Sequence, residues 1–522
     1  MAQRRQDFAG HQARLTAIGP MEEEGMGEEV EAVAYTREDR QRYREKVRQD
    51  LDVFEQMLTH HSFDYERPLT GMEIELSLVD EDFLPRMNNA AVLERISDPR
   101  YQTELARYNI ELNVEPRLLP GDAARDLEDD LRQSLNKADA LASETGAHIV
   151  QIGTLPTVMP EHFQGDWMSA NLRYAALNEA MVSARGEDMF IDIQGERGER
   201  LAMYADSIGP ESAGTSVQLH LQVSPQEFAA NWNAAQSLAC LQLAVGSNSP
   251  FFFGKQLWHE TRTELFRQAV DTRPIELKNQ GVRPRVFFGE RWITSVFDLF
   301  EENVRYFPAL IPEISDEDPV AMLEAGRTPR LSELRLHNGT VYRWNRPVYD
   351  VVNDMPHLRV ENRVLPAGPT IIDTMANSAF YFGMLRMLAH DDRPIWTRMS
   401  FSAAEQNFHA CAKHGMEARV YWPGFGRVPA DELVLRHLLP MAHEGLERWG
   451  VSAAVRERYL GVIEARCTSG VTGASWQIAA VQCLEDRGMD RSKALRGMLE
   501  RYIQAMHTNE PVHTWSLPTT FL

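Results

Sequence analysis

The spacing of apolar residues along the chain predicts a protein built from both helices and strands. Tyr43, Val47, Leu51, Phe54 and Leu58 follow one another at intervals of three or four, which predicts an amphipathic helix over residues 38–60. Similar patterns predict helices at residues 123–145, 225–244 and 370–388. Alternating apolar and polar positions predict five strands, at residues 69–79, 109–118, 148–153, 215–223 and 357–365. Helices and strands therefore alternate through most of the chain.

The two ends of the chain differ from its middle. Residues 1–40 carry runs of charge without apolar periodicity, which predicts a mobile acidic extension. Beyond residue 394 the patterns are mostly helical, with predicted helices at residues 431–449, 451–464, 473–487 and 492–506. We therefore expect residues 394–522 to form a helical C-terminal subdomain and residues 41–393 to form the main domain.

Charge limits the partners that this protein can have. The 522 residues include 54 Lys and Arg against 76 Asp and Glu, a net charge of −22. This excess argues against nucleic acid or an anionic membrane as the main partner. Acidic ligands such as nucleotides would need cations or arginines at their binding site. The oligomeric state stays open, and a homo-oligomer is one of the alternatives.

The cysteines and the N-terminus predict a cytoplasmic protein. The four cysteines, Cys240, Cys411, Cys467 and Cys483, form no Cys-x-x-Cys pair, which favours a reducing compartment. The N-terminal residues contain no apolar signal-peptide core. The most apolar stretch, residues 237–254, is interrupted by Ser, Gln, Asn and Pro, so no membrane-spanning helix is expected.

Four of the predicted strands carry unusual polar faces. Side chains at i and i+2 of a strand share a face. In each of the four strands, in chain order, the polar residues on one face are Glu73 and Glu75; Glu111, Asn113 and Glu115; Gln218, His220 and Gln222; and Arg359, Glu361 and Arg363. An ordinary half-exposed antiparallel sheet also alternates, so one such strand is weak evidence. The bias toward carboxylate, imidazole, carboxamide and guanidinium groups favours a shared pocket.

The pocket's chemistry favours a hard divalent cation. Converging carboxylates repel one another unless cations lie between them, and oxygen-rich sites suit magnesium or manganese. Such metals commonly hold phosphate, and Arg359 and Arg363 could neutralise a phosphoryl group. The chain contains neither a G-x-x-x-x-G-K-[ST] loop nor a G-x-G-x-x-G turn, so a nucleotide would have to bind through metals and arginines.

Together these motifs resemble the carboxylate-amine ligases of the glutamate-cysteine ligase type 2 family, relatives of glutamine synthetase. The resemblance covers residues 69–388. It rests on GMEIE at 71–75, NVEPR at 113–117, TSVQLH at 215–220, NSPF at 248–251 and VENR at 360–363, with GTVYRWNRP at 339–347 before the final strand. Each motif alone is weak, whereas their order and spacing are fairly specific.

The resemblance implies an α+β fold in which an antiparallel sheet forms a funnel flanked by helices. ATP would enter one end and an amino acid the other, with metals between them. By position, Glu75, Glu111 and Glu115 resemble ligands of one metal, while Glu73, His220 and Glu361 resemble ligands of a second. Gln218 and Gln222 depart from the family pattern around His220, which leaves the second metal's coordination open.

The resemblance also suggests roles for five arginines. Arg363 resembles the arginine that steadies the transferred phosphoryl group and, with Glu361 and Glu73, completes the expected catalytic set. Arg359, Arg346, Arg262 and Arg173 are candidates for binding phosphate or substrate carboxylate. The alternative for Arg346, Arg262 and Arg173 is an ordinary surface ion pair or helix-face position.

The implied activity is ATP-dependent formation of a γ-glutamyl amide through an acyl phosphate. Glutamate is the expected acid and cysteine the favoured amine, which would place the enzyme in glutathione biosynthesis; the sequence does not identify the amine. A covering loop is expected at residues 192–210. Two alternatives remain: a metal-dependent phosphotransferase of the guanidino-kinase type, and a non-catalytic, ligand-binding descendant.

Overall fold

The computed structural model describes residues 35–65 and 68–518. Most of the predicted N-terminal extension, residues 1–34, lies outside the described residues. The last residues of the predicted extension, 37–40, are helical, because the first helix begins at Arg37. Thr36 caps this helix: its side chain accepts a hydrogen bond from the Asp39 backbone N–H, and the Asp39 side chain accepts one from the Thr36 N–H.

The strands match the predicted positions and add several short ones. In chain order they are β1 (Thr70–Val79), β2 (Tyr101–Thr103), β3 (Asn109–Arg117), β4 (His148–Val150), β5 (Met189–Gln194), β6 (Arg200–Ala205), β7 (Ser216–Val223), β8 (Phe251–Phe252), β9 (Lys255–Gln256), β10 (Val286–Phe287), β11 (Tyr342–Arg343), β12 (Asn345–Val352), β13 (Met355–Pro366), β14 (Arg419–Trp422) and β15 (Gly426–Pro429). All five predicted strands are confirmed.

The predicted helices are also confirmed, to within a few residues at their ends. The α-helices are α1 (Arg37–His60), α2 (Asn89–Ile96), α3 (Ala123–Ser143), α4 (Leu172–Arg185), α5 (Phe228–Gly246), α6 (Thr261–Ala269), α7 (Ile275–Asn279), α8 (Phe297–Tyr306), α9 (Pro319–Glu324), α10 (Ser332–Gly339), α11 (Ile371–Ala389), α12 (Phe401–His414), α13 (Ala430–Leu433), α14 (Leu439–Arg448), α15 (Ala453–Ser469), α16 (Gly473–Glu485) and α17 (Arg491–Thr508). A π-helical turn, Val434–Leu438, joins α13 to α14.

A curled antiparallel sheet of seven strands organises the chain. Its order is β12-β13-β7-β1-β3-β2, and β4 pairs with the far end of β1. Every pairing in this sheet is antiparallel. The predicted α+β fold, an antiparallel sheet flanked by helices, is therefore confirmed. All ten residues of β1 are buried, as expected for a central strand covered on both faces.

The C-terminal helices share one hydrophobic core with the sheet. A buried ion pair joins Arg466 of α15 to Asp373 of α11, with 2.7 Å between Nη2 and Oδ1. The Tyr502 hydroxyl of α17 donates a hydrogen bond to the Gln151 carbonyl oxygen at 2.7 Å. These contacts tie the C-terminal part to the sheet, and the domain boundary at residue 394 stays a prediction. The hairpin β14–β15 within this part was not predicted.

No helix in the described ranges, 35–65 and 68–518, is long and apolar enough to cross a lipid bilayer.

A buried carboxyl group in α1 should make the protein less stable as the pH rises. Burial, with Glu333 adding to it, raises the pKa of Asp50 from its ordinary value of 3.8 to about 8. One carboxyl oxygen accepts a hydrogen bond from the Leu334 N–H at 3.0 Å, while the other has no hydrogen-bond partner in the described chain. Because the native state holds this proton more tightly, stability should fall as the pH rises from about 4 to about 8.

We expect Asp50→Asn to raise the free energy of unfolding at pH 8 by at least about 1.4 kcal/mol, the equivalent of one pKa unit. Urea unfolding of both proteins at pH 5 and pH 8 measures this, and the gain should be smaller at pH 5. Asp52→Asn on the exposed side of the same helix is the matched control. An equal effect of the two substitutions would contradict the expectation.

Candidate active site

Strand register brings the predicted polar faces together. Across the β1–β3 ladder Glu75 lies opposite Glu111, and across the β7–β13 ladder His220 lies opposite Glu361. The intervening residues Ile74, Leu112, Leu219 and Val360 point to the other face and are almost fully buried in the core. Apolar burial on one face thus holds the carboxylates, imidazole and guanidiniums on the other.

The first group in the site consists of three carboxylates, Glu75, Glu104 and Glu111. Each offers an oxygen, and these oxygens all lie within 4.8 Å of one another. The two oxygens of Glu75 accept hydrogen bonds from the Ser216 N–H at 2.6 Å and from Gln218 Nε2 at 3.1 Å. Glu104 accepts one from the Leu105 N–H at 3.1 Å. The group is therefore held in place by neighbouring backbone and amide donors.

Glu104, rather than the expected Glu115, completes this group. The β1–β3 register shifts between Thr70 and Met72, and past that irregularity Glu115 is exposed and lines a separate cleft with Gly71. Glu104 lies in the connection between β2 and β3. No sequence pattern marks Glu104, because it stands outside any alternating strand. The signal that could have found it is the three-residue strand β2, which forms a hairpin with β3 and returns Glu104 toward Glu111.

Burial and mutual repulsion raise the pKa values of carboxyl groups at this end of the site. Burial, with the charge of Glu75, raises the pKa of Glu104 to about 7. Burial also raises the pKa of Glu75, against the opposing effect of Arg363. A further carboxyl group, on the turn Gly209–Ala213, joins them: burial and Glu104 raise the pKa of Glu211 to about 8. A divalent cation is the counter-charge that would let such a set ionise together, so the residues fit a metal.

The second group consists of Glu73, His220 and Glu361. His220 Nε2 lies 2.9 Å from Glu73 Oε1, yet it is buried without an aligned hydrogen-bond partner in the described chain. Burial would raise the pKa of Glu73, but His220 and Arg363 outweigh it and the pKa is lowered. The ionised Glu73 carboxylate suits a divalent cation, whereas His220 Nε2 could bind one only with the imidazole proton on Nδ1, where the Arg359 guanidinium now donates.

Glu361 is already held by two guanidinium groups. Arg346 Nε donates to one of its oxygens at 2.6 Å, and Arg363 Nη1 donates to the other. Burial would raise the pKa of Glu361, but Arg346, Arg363 and His220 lower it well below the usual range. Arg363 also donates to Gln218 Oε1 at 2.5 Å. Arg363 therefore lies between the two carboxylate groups: it contacts Glu361 directly and is linked to Glu75 through Gln218.

The remaining predicted arginines occupy different surroundings. Arg359 forms a buried chain: its Nη1 lies 3.0 Å from Asp350 Oδ2, and its Nε donates to His220 Nδ1 at 3.2 Å. It thus orients the imidazole as well as lining a cavity beside it. Arg262 stacks over the Trp344 ring at 5.7 Å, and Arg173 lies in the first turn of α4. Binding roles for these arginines remain predictions.

A cavity of about 190 Å³ opens at the end of the sheet beyond His220. Its walls include His220, Gln222, His357 and Arg359, together with the β12–β13 turn at Asn353. The three-carboxylate group lies toward the opposite end, beside Ser216 at the start of β7. The site is therefore elongated, with a cavity at one end, the three partly buried carboxylates at the other and Arg363 between them.

The expected covering loop, residues 192–210, overlaps the hairpin of β5 and β6, which begins at Met189. Glu199, near the hairpin tip, pairs with Arg491 of α17 at 3.1 Å, and Glu196 contacts His414 of α12. The tip is thus attached to the C-terminal helices, while the following turn carries Glu211 to the carboxylates. Its role as a cover stays a prediction.

Comparison with solved structures shows which known proteins have a similar fold. The chain is similar to the glutamate-cysteine ligase of Francisella tularensis in complex with AMP, with 12% identity, a TM-score of 0.53 and coverage of 88% of this chain and 91% of that one. A bifunctional glutathione synthetase from Pasteurella multocida matches at 13% identity and a TM-score of 0.47, and the alignment covers 88% of this chain and 55% of that longer one. At these identities the likeness to the first structure shows the fold.

Comparison with protein-family models identifies the family to which the chain belongs. No curated protein matches this chain. The model of glutamate-cysteine ligase family 2, however, matches residues 69–504, which is most of the chain and extends into the C-terminal helices. This match makes the protein an ATP-dependent ligase of the carboxylate-amine type. The chain belongs to glutamate-cysteine ligase family 2.

Proposed function

We propose that the protein uses ATP to join the γ-carboxylate of glutamate to an amine, with cysteine as the favoured acceptor and an acyl phosphate as the intermediate. The observation that carries the proposal is the position of Arg363 between two carboxylate groups on one sheet face. Such a site suits phosphoryl transfer between two anionic reactants.

The cavity beside His220 is the proposed nucleotide end. It borders His220 and Arg359, so phosphates placed there would point along the sheet toward Glu361 and Arg363. Divalent cations held by Glu73, His220 and Glu361, and by Glu75, Glu104 and Glu111, would offset the charge of the phosphates. Magnesium or manganese suits these oxygen-rich ligands.

The opposite end is the proposed amino-acid end. Arg262 and Arg173 are the candidate partners for a substrate carboxylate there. A carboxylate does not condense with an amine in water because its carbonyl carbon is shielded by charge and oxide is a poor leaving group. Its oxygen would attack the γ-phosphorus and displace ADP, with the Arg363 guanidinium donating to the transferred group. The amine would then attack the acyl carbon and release phosphate.

Isotope transfer tests the proposed reaction directly. We expect γ-carboxylate ¹⁸O-labelled glutamate, ATP, magnesium and cysteine to yield a γ-glutamyl amide, ADP and inorganic phosphate carrying one ¹⁸O atom, because the attacking oxygen leaves with phosphorus. Mass spectrometry detects the amide, the ADP and the labelled phosphate. Repeating the reaction with a panel of other amines identifies the acceptor. A Glu73→Gln variant is the control for contaminating activity.

Other outcomes would separate the alternatives. A stable phosphorylated acid formed without any amine would indicate a phosphotransferase. Amide formation with unlabelled phosphate would exclude the acyl phosphate. ADP release no faster than in Glu73→Gln, with every acid and amine tried, would favour a non-catalytic ligand-binding protein.

A further inference from the structure

Arg359 fixes which ring nitrogen of His357 carries the proton. Arg359 Nη1 lies 3.2 Å from His357 Nε2. A guanidinium donates hydrogen bonds and accepts none, so Nε2 is the acceptor in this contact. Burial and the charge of Arg359 lower the pKa of His357 to about 4, so the imidazole is neutral at pH 7. A neutral imidazole whose Nε2 accepts a hydrogen bond carries its one proton on Nδ1.

The Nδ1–H group of His357 is left without a partner. Within residues 35–65 and 68–518, the contact with Arg359 is the one hydrogen bond of this side chain. His357 is nevertheless well buried, with 6% of its surface exposed, and it lines the cavity of about 190 Å³ beside His220. Because an unpaired donor inside a protein costs free energy, a ligand that offers an acceptor in this cavity would be favoured.

Strand β13 arranges one wall of the cavity in a fixed order. Met355, His357, Arg359 and Glu361 share a face of this strand, with about 7 Å between successive members. Glu361 belongs to the second carboxylate group, and Arg359 follows it toward the cavity. At the far end, beside the β12–β13 turn, the apolar side chains of Val352 and Met355 line the cavity.

A nucleotide in this cavity would follow the same order. Its placement rests on the proposed function, which puts the phosphates toward Glu361 and Arg363. The ribose then comes next along the strand, and the base reaches Val352 and Met355. His357 lies between these two ends, at the level of the sugar. A ribose hydroxyl is an acceptor that the Nδ1–H group can meet.

We propose that His357 binds the ribose of the nucleotide, donating a hydrogen bond from Nδ1–H to a sugar hydroxyl, and so favours ribonucleotides over deoxynucleotides. Arg359 prepares this donor because it uses Nε2 as an acceptor. Asp350 in turn holds Arg359, with 3.0 Å between Oδ2 and Nη1. Loss of the hydroxyl and loss of the donor remove the same bond, so the two effects should not add.

Paired titrations of the full chain test the contact. Calorimetry with magnesium compares ADP with 2′,3′-dideoxy-ADP, which lacks both sugar hydroxyls. The wild type should bind ADP about 3- to 10-fold more tightly, the range for one neutral hydrogen bond. His357→Gln should bind the two ligands equally, because glutamine offers Arg359 an acceptor oxygen but no donor at the Nδ1 position. His357→Asn, whose amide nitrogen occupies the Nδ1 position, should keep the preference.

Two results would overturn the ribose contact while leaving the nucleotide end in place. One is a wild type that binds ADP and dideoxy-ADP with equal affinity. The other is a His357→Gln variant that keeps the full preference, even if it binds both ligands more weakly, since that pattern indicates support of the fold alone. A wild type that binds neither ADP nor ATP would contradict the proposed nucleotide end itself, and the ribose contact with it.

His437→Gln is the matched control. It makes the same chemical change at an exposed histidine of the π-helical turn Val434–Leu438. We expect this variant to bind both ligands with the affinities of the wild type.

Discussion

Glu104→Gln should weaken divalent-cation binding by at least about 100-fold, more than is typical for loss of a group that only supports a ligand. The Glu104 oxygen lies within 4.8 Å of oxygens of Glu75 and Glu111, so it is placed to share one cation with them. Glutamine keeps the size of the side chain but removes its charge. Calorimetric titration of Mn²⁺ and Mg²⁺, with and without a non-hydrolysable ATP analogue, measures the loss.

Glu115→Gln is the matched control. It makes the same chemical change on the neighbouring strand, at an exposed residue outside the carboxylate group. We expect its cation affinity to stay close to that of the wild type. Loss of affinity in Glu115→Gln with none in Glu104→Gln would restore the ligand set expected from sequence and reject the one drawn from geometry.

Arg363→Lys should lower the rate of phosphoryl transfer by about 10²- to 10³-fold, the usual effect of removing one donor from a developing negative charge. Affinity for ATP should change far less. Arg363 donates to both Glu361 and Gln218, a geometry that depends on its planar guanidinium. Lysine keeps the charge but presents it as a single point. Rapid-quench measurement of one turnover, with ATP affinity measured separately, resolves the two effects.

Arg346→Lys distinguishes catalysis from positioning. Arg346 also donates to Glu361, but through Nε and from a more buried position. If Arg363 contacts the transferred phosphoryl group, its replacement should be clearly the more damaging of the two. Equal losses would mean that both arginines act by holding Glu361, and Arg363 would then be a positioning residue.

Local pattern predicted the main strands and most of the site. A strand's side chains alternate, so Glu73, Glu75 and Glu111 could be assigned to polar faces without knowing which strands are neighbours. The same rule found His220 and Glu361. The carboxylate-rich composition of these faces indicated a cation site, and the motifs indicated the family that the comparison confirmed.

The alternation pattern did not place residues correctly where they lie outside a strand or beyond an irregularity in strand pairing. Glu104 and Glu211 lie in turns, where no periodicity marks the direction of a side chain. Most of the β5–β6 hairpin lies in a segment expected to be a loop, because charged residues and a glycine stand between its short strands. A ligand contact for Arg359 stays a prediction, and the structure adds that this residue orients His220 from within a buried chain to Asp350.

The chain's alternation and composition indicated a protein of helices and strands with a carboxylate-lined face, and the family resemblance added the antiparallel α+β fold. Only the folded structure decided which carboxylates meet. Alternation reports the face on which a side chain lies, whereas its neighbours depend on register, and register depends on cross-strand hydrogen bonds and core packing between residues far apart in sequence. The irregularity between Thr70 and Met72 therefore left Glu115 outside the group, and the return from β2 brought Glu104 into it.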